Sequence, residues 1–318
     1  MKILVTGGAG FIGSHLVERL LEAGYKVDNL DSFSDFYDPN IKRKNVRKAS
    51  ESSNYYLLEG DIRDKRYLDQ VFEKTNYDLV IHLAAMAGVR PSIKEPVLYK
   101  EVNIDGTLNL LEECRKHNIR KFLFASSSSV YGNNKKLPFC ETDNVDNPIS
   151  PYATTKKAGE LLCYTYNHLF NISVICLRFF TVYGARQRPD LAIHKFTRKI
   201  DAGEELVLFG DGSTSRDYTY IDDIIQGIMG AIKYLNSFNV YEIINLGESK
   251  TINLLEMVQI IEEEMGKECK YHFSEMQPGD VNITYADISK AKKLLNYYPQ
   301  TEFREGIKQF IRWFNDNK

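Results

Sequence analysis

Tyr152 and Lys156 stand four residues apart in "ISPYATTKKAGE" (149–160). On a helix, residues at that spacing share a face, so an ammonium can sit beside a phenol. A nearby cation lowers a tyrosine pKa from about 10 toward neutrality and makes the phenolate available as a base. The spacing is short enough to arise by chance, and an ordinary surface pair is the alternative. It gains weight from "SSSSVYG" (126–132), which closes the strand-like run "KFLFASS" (121–127) and places hydroxyls where they can bond the same substrate oxygen.

A proton-transfer centre of this kind works beside a hydride acceptor, and the start of the chain offers a site for one. "VTGGAGFIG" (5–13) sets Gly7, Gly10 and Gly13 around Phe11 and Ile12, directly after a strand pattern and before a helix pattern. Glycines there let the backbone turn tightly and approach a pyrophosphate, whose charge the helix N-terminus meets. Alone, the pattern is equally a plain tight turn. Its context favours a dinucleotide, because Asp31 ends the second strand 18 residues past Gly13. An acid at that place accepts both adenosine ribose hydroxyls and repels a 2′-phosphate, so NAD is expected over NADP. Asp61 and Ile62 in "GDIRD" are placed to hold the adenine edge, and Leu83, Ala84 and Ala85 in "HLAAMAG" to pass along the pyrophosphate and ribose. His82 lies inside that apolar run and reads as a core histidine.

Six strand-like runs position these groups: 2–6, 26–30, 55–60, 78–84, 121–127 and 173–179, with apolar residues at helical spacing over 14–24 and 102–118 between them. Such alternation implies an α/β fold, a Rossmann-type doubly wound parallel sheet covered on both faces. After about Phe180 the pattern loosens into loops rich in Gly, Pro and charge. Residues 1–180 are therefore expected to form an NAD-binding domain, with 217–246 returning to it, and 181–318 mainly a smaller mixed α/β substrate lobe.

The 318 residues carry a net charge of −2 and 43% apolar side chains, so neither a nucleic-acid footprint nor a membrane surface is expected. The basic run "IKRKNVRK" (41–48) reads as a solvated face. Five scattered cysteines without CxxC spacing argue against a metal site or disulfide framework. The opening "MKILVTGG" runs straight into the first strand, and no apolar stretch approaches the roughly 20 residues of a spanning helix, so a cytoplasmic protein is expected.

Taken together, "TGGAGFIG", "HLAAMAG", "SSSSVYG", "YATTK", "RFFTVYG", "RDYTYIDD" and "PGDVNITYADISKA" make the chain resemble, over essentially its whole length, an extended short-chain dehydrogenase/reductase of the nucleotide-sugar epimerase/dehydratase group. The resemblance implies Tyr152 as the base, Lys156 as its orienter and ribose clamp, and Ser127 as the catalytic hydroxyl. It implies Asn103 near the cofactor, Arg216 on the substrate diphosphate, Asp280 near the uridine ribose and 205–212 along the uracil. It also implies a homodimer packed through helices near 95–117 and 152–170.

Two departures narrow the reaction. The group's 4,6-dehydratases carry an Asp-Glu pair before VYG, and its decarboxylating synthases a glutamate before the Val; here that place is Ser129. UDP-glucose 4-epimerases read Asn where this chain has Thr181. "RFFTVYG…RPD" with "GVRPS" (88–92) is instead most similar to the UDP-glucuronate 4-epimerases. A C5 carboxylate wants charge-assisted donors. Thr181, Ser128 and Arg188 are the candidates, with Arg186 or Arg90 next in line; solvated loop charges are the alternative for Arg186 and Arg188. The expected activity is an isomerase reaction, NAD-dependent 4-epimerisation of UDP-glucuronate to UDP-galacturonate through a transient 4-keto sugar. A 4-epimerase of a neutral UDP-hexose or UDP-N-acetylhexosamine, and a non-catalytic NAD-binding sensor, are the competing readings.

Overall fold

The first apolar run becomes β1 (Lys2–Thr6), and its side chains divide between two cores. Ile3 and Val5 join the larger, Leu4 the smaller, because successive strand residues face opposite sides of a sheet. With both faces covered, a strand needs no polar side, which is why these runs read as continuous rather than alternating. The computed structural model describes residues 1–318.

From β1 the chain continues through α1 (Phe11–Glu22), β2 (Lys26–Asp31), α2 (Pro39–Asn45), β3 (Tyr55–Glu59), α3 (Lys65–Lys74) and β4 (Leu79–His82). Then come α4 (Val89–Lys94), α5 (Pro96–Lys100), a π-helical turn (Glu101–Asp105), α6 (Gly106–Lys116), β5 (Lys121–Ser127), α7 (Pro151–Phe170) and β6 (Ser173–Phe179). Beyond β6 lie β7 (Thr181–Tyr183), α8 (Ala192–Asp201), β8 (Leu206–Phe209), β9 (Ser215–Arg216), β10 (Tyr218–Tyr220), α9 (Ile221–Ser237) and β11 (Tyr241–Leu246). The main sheet has seven parallel strands in the order β11-β6-β5-β4-β1-β2-β3. The chain winds outward from β1 to β3, then crosses back to lay β4 on the other side of β1. That reversal opens a crevice at the carboxyl ends of the strands.

Two local expectations change. The helix expected over 102–118 is interrupted by the π turn at Glu101–Asp105, and its regular part starts only at Gly106. The basic run is also not simply a solvated face: Pro39 starts α2, and Lys42 and Asn45, one turn apart, both point inward and are buried.

Outside the main sheet, loops meet on one carboxylate. Asp217, fully buried, accepts from the amides of Glu248 (2.7 Å), Ser249 (3.0 Å) and Ala286 (3.0 Å). Burial pushes its carboxyl up to about 6, and those amides pull back against it. No helix is long and apolar enough to cross a membrane.

Candidate active site

The carboxyl ends of β1, β2, β4, β5 and β6 open into one cavity of about 1080 Å³. At its floor Gly7 has φ +75°, and a Cβ there would stand 2.6 Å from the Ala84 nitrogen. A Cβ on Gly13 would meet the Gly7 carbonyl at 2.2 Å. Only glycine permits this approach of strand, turn and helix. Gly10, at the N-cap of α1, offers no capping side chain and no acid follows in the first turn, which leaves the helix amides open to an anion.

Asp31 stands beside this turn. Its carboxylate accepts from the amides of Ala9 (3.0 Å) and Phe33 (2.9 Å); burial raises its pKa, with those amides and Lys42 opposing. Phe11, Ile12, Asp61, Ile62, Leu83, Ala84 and Ala85 line the same cavity. These residues suit a dinucleotide: a cradle that a Cβ would fill, an uncapped helix end, and a carboxylate beyond the turn.

Asn103, expected near the cofactor, holds the loop after β4, whose Met86 lines the cavity. It is buried outside the cavity lining, and its amide is spent within the protein. Its Oδ1 accepts from Met86 N (2.8 Å), and its Nδ2 donates to Met86 O (2.9 Å) and Thr155 Oγ1 (3.0 Å). It therefore fastens the loop after β4 to α7. His82 is likewise internal, between Thr6 Oγ1 (2.7 Å) and Thr107 Oγ1 (3.0 Å), and burial pulls its pKa down to about 3.

Helix α7 starts sharply because Ser150 caps it, accepting from Ala153 N at 3.1 Å, and Pro151 takes the first helical position. Tyr152 and Lys156 follow on one face of α7, and both line the cavity beside Ser127, the last residue of β5. The Ser127 hydroxyl accepts from Ser129 N (3.2 Å) and Ser129 Oγ (3.0 Å). Burial raises the Tyr152 pKa, while Ser127 and the Arg188 charge pull it back. The expected lowering by Lys156 is absent from this balance. The ammonium is directed at the Ala125 carbonyl (2.8 Å) and stands 5.9 Å from the centre of the Tyr152 ring. Burial brings the Lys156 pKa down to about 8, with Cys163 and Glu160 opposing.

A buried network under this helix carried no signal beyond residue type. Glu160, one turn past Lys156, takes a bidentate bond from Arg178 (2.8 and 2.9 Å) and the Ser126 hydroxyl (2.6 Å). It ties α7 to the ends of β5 and β6, the first of which carries Ser127 and the second of which leads into β7 and Thr181.

On the substrate side, Thr181, Arg90, Arg188, Arg216 and Asp280 all line the cavity. Arg90 pairs with Asp280 at 2.6 Å and lies 4.6 Å from the centre of the Phe209 ring. Arg216 meets only carbonyls, Ser215 O (2.9 Å) and Asn282 O (3.4 Å), and burial lowers its pKa.

The expected carboxylate clamp is only partly assembled. Ser128 begins a short helical turn outside the lining, and Arg186 is outside it as well, paired with Glu18 at 2.7 Å. Arg188 reaches the cavity with its fork taken by Asp190 (3.0 and 2.8 Å). Lys42, read as surface, lines the cavity instead and donates to Ser34 O (2.8 Å) and Ser34 Oγ (3.0 Å). The proline-started helix, with Lys42 and Asn45 one turn apart, was the signal that could have found it.

This arrangement is that of the extended short-chain dehydrogenases/reductases. A family model described as GDP-mannose 4,6 dehydratase matches residues 4–310, and the chain belongs to that family. It is 43% identical over 315 residues to a UDP-glucuronate 4-epimerase of Thermodesulfobacterium geofontis, covering 99% of this chain and 96% of that one. Among solved structures it resembles the UDP-glucuronic acid 4-epimerase of Bacillus cereus, captured with UDP-glucuronic acid and NAD (TM-score 0.94, 38% identity, 100% of both chains). It also resembles a UDP-glucose 4-epimerase of Thermotoga maritima with UDP-glucose (TM-score 0.91, 33% identity, 100% of this chain and 99% of that one).

Proposed function

We propose that this protein is an NAD-dependent UDP-sugar 4-epimerase acting on UDP-glucuronate and UDP-galacturonate through a transient 4-keto sugar. The observation that carries it is that Thr181 lines the same cavity as Tyr152, Lys156 and Ser127, in a chain 43% identical to a UDP-glucuronate 4-epimerase.

Gly7, Gly10, Gly13, Asp31 and the residues lining 83–85 hold the cofactor, and NAD, when bound, supplies reversible hydride acceptance at the sugar C4. Tyr152 takes the proton of the C4 hydroxyl as that carbon is oxidised, and Ser127 bonds the same oxygen. Lys156, tethered to Ala125 O, orients the site and stands where it can clamp the cofactor ribose. Tyr152 then returns the proton once the keto sugar has presented its other face. Arg216 takes the diphosphate, with Arg90 and Asp280 beside it.

The 4-keto glucuronate is a β-keto acid, which loses CO₂ when its carboxylate bond aligns with the carbonyl π system. Thr181, whose amide is fixed by Asp217 O at 3.0 Å, supplies a hydroxyl from rigid backbone to hold the carboxylate out of alignment. Residues 1–180 with 217–246 form the cofactor part, and 181–318 mainly the substrate part. The exposed Val97, Leu161, Tyr164 and Leu169 on α5 and α7 support a homodimer. Buried free thiols at Cys114, Cys163 and Cys176 suit a cytoplasmic location.

Incubation with UDP-glucuronate and NAD should yield UDP-galacturonate without UDP-pentoses. Faster conversion of UDP-glucose or a UDP-N-acetylhexosamine would move the protein to the neutral-sugar epimerases, and no turnover of any sugar nucleotide would leave a sensor.

A further inference from the structure

The segment "YGARQRPD" (183–190) sets an arginine and an aspartate on either side of a proline, and the fold leaves the arginine little freedom. Arg186, just before it, has φ +63°, a left-handed conformation that a non-glycine residue holds only when its surroundings fix it. Its pair with Glu18 at 2.7 Å does so. Gln187, buried, then donates to Val182 O (3.2 Å) and accepts from the amide of His194 (3.2 Å). Arg188 therefore leaves an anchored backbone.

A guanidinium offers five N–H groups in a planar fork and a flat face. Most of these are taken at Arg188. Asp190 accepts from Nε (3.0 Å) and Nη2 (2.8 Å), which occupies the side edge. The guanidinium carbon lies over the Phe36 ring, 5.0 Å from its centre, and Nη2 also reaches the Ala87 carbonyl at 3.4 Å. Nη1 donates to nothing in the protein, on a side chain that lines the cavity. One end of the fork is left for a ligand.

Tyr152 shows which ligand atoms that end can meet. Burial raises the pKa of the phenol, and Ser127 and the Arg188 charge oppose the rise, so the guanidinium stands within charge range of the base. The phenol works on the oxygen at C4 of the sugar, and a C5 carboxylate carbon is only two bonds from C4. A cation within range of the phenol is therefore within range of that carboxylate. Asp190 stands apart from this chemistry. It lies outside the cavity lining, its side chain is 43% exposed, and its hydrogen bonds come from Arg188 alone.

We propose that Asp190 is a positioning residue that sets selectivity for a uronate: by holding the side edge of Arg188 it aims the Nη1 end at the C5 carboxylate. Pro189 between them has its φ fixed by its ring, which limits how far the pair can part. Burial disfavours the Arg188 charge, and Asp190 leads the groups that offset it. An arginine ordered before the substrate arrives spares the complex that cost, so the carboxylate meets a prepared donor. A neutral sugar has no use for the Nη1 end and gains nothing from the pair. The inference rests on the reading that UDP-glucuronate is the substrate.

The test is calorimetry on the NAD-loaded Tyr152→Phe protein, in which the sugars do not turn over during a titration. UDP-glucuronate and UDP-glucose are titrated with Asp190 intact, with Asp190→Asn, Asp190→Ala and Arg188→Ala, and with the Arg188→Ala/Asp190→Ala pair. Asp190→Ala should weaken UDP-glucuronate about tenfold or more, the scale of one charge-assisted contact, and leave UDP-glucose within about twofold. Asp190→Asn keeps the shape and one acceptor and should fall between. Arg188→Ala should show the same selective loss, and removing Asp190 as well should add nothing to it. Unchanged or tighter binding of UDP-glucuronate in Asp190→Ala overturns the proposal, and so does an equal loss on both sugars. A full further loss in the double variant overturns it too, because Asp190 would then act without the arginine. With Asp190 intact, tighter binding of UDP-glucose than of UDP-glucuronate sinks the proposed function and this inference with it, a result read before any Asp190 variant is compared.

Discussion

Lys156 gives its ammonium to the Ala125 carbonyl at 2.8 Å, on the strand next to its own helix, and not to the Tyr152 phenol one turn away. In the free protein the lysine is therefore tethered rather than paired with the base. Tyr152 keeps a raised pKa through burial, and the Ser127 hydroxyl and Arg188 charge oppose it. A phenolate becomes accessible when a further positive charge enters the cavity.

Replacing Tyr152 by Phe removes the base and keeps the ring, which packs edge-on against Tyr99 at 6.2 Å between centroids. Turnover should fall by about two to four orders of magnitude, the usual cost of losing a positioned base. NAD binding by calorimetry should be unchanged. Near-parental turnover in steady-state assays would remove Tyr152 from the mechanism.

Lys156 also makes stability depend on pH. Its pKa falls from 10.5 in the unfolded chain to about 8 in the fold, where burial disfavours the charge. Between those values the unfolded state holds the extra proton, so the contribution to stability rises with pH from about 8 to 10.5. Thermal melts of the cofactor-free protein through that window should show the parent gaining on Lys156→Met. A constant difference between the two would refute the buried charge.

Asn103→Ala strips the partners from both backbone groups of Met86 and from Thr155. Leaving such buried groups unpaired costs about 1–3 kcal/mol. Because the loop after β4 lines the cavity, NAD affinity should drop with stability. Lower stability in urea with unchanged NAD affinity would confine Asn103 to the fold.

The Glu160–Arg178 pair is almost wholly buried, with side chains 1% exposed on each side. Removing one partner strands the other charge, so Glu160→Leu or Arg178→Met alone should cost about 3–5 kcal/mol. The double Glu160→Leu/Arg178→Met should lose less stability than the sum of the singles while its turnover stays low, since the ends of β5 and β6 are no longer tied to α7. Additive losses in urea unfolding would show that the pair is not coupled.

What the sequence by itself determined is what neighbouring residues settle together. The glycine turn, Asp31 at the end of its strand and the Tyr152–Lys156 face all depend on spacings of a few residues, and steric and helical periodicity act at that range. The parallel sheet was legible in the alternation of short strand-like runs with stretches of helical spacing.

The tertiary structure decided the rest, because a hydrogen bond takes whichever partner the fold brings within about 3 Å. Asn103 meets Thr155 from 52 residues away, and Arg188 meets Ala87 from 101. Arg186 and Arg188 are the same residue type two positions apart. One docks on α1 and the other lines the crevice, since a left-handed turn at Arg186 and the packing of α1 beneath it aim them apart. Spacing could place both arginines near the site, but only the packed fold set what each one holds, Glu18 on α1 for Arg186 and Asp190 with the Ala87 carbonyl for Arg188.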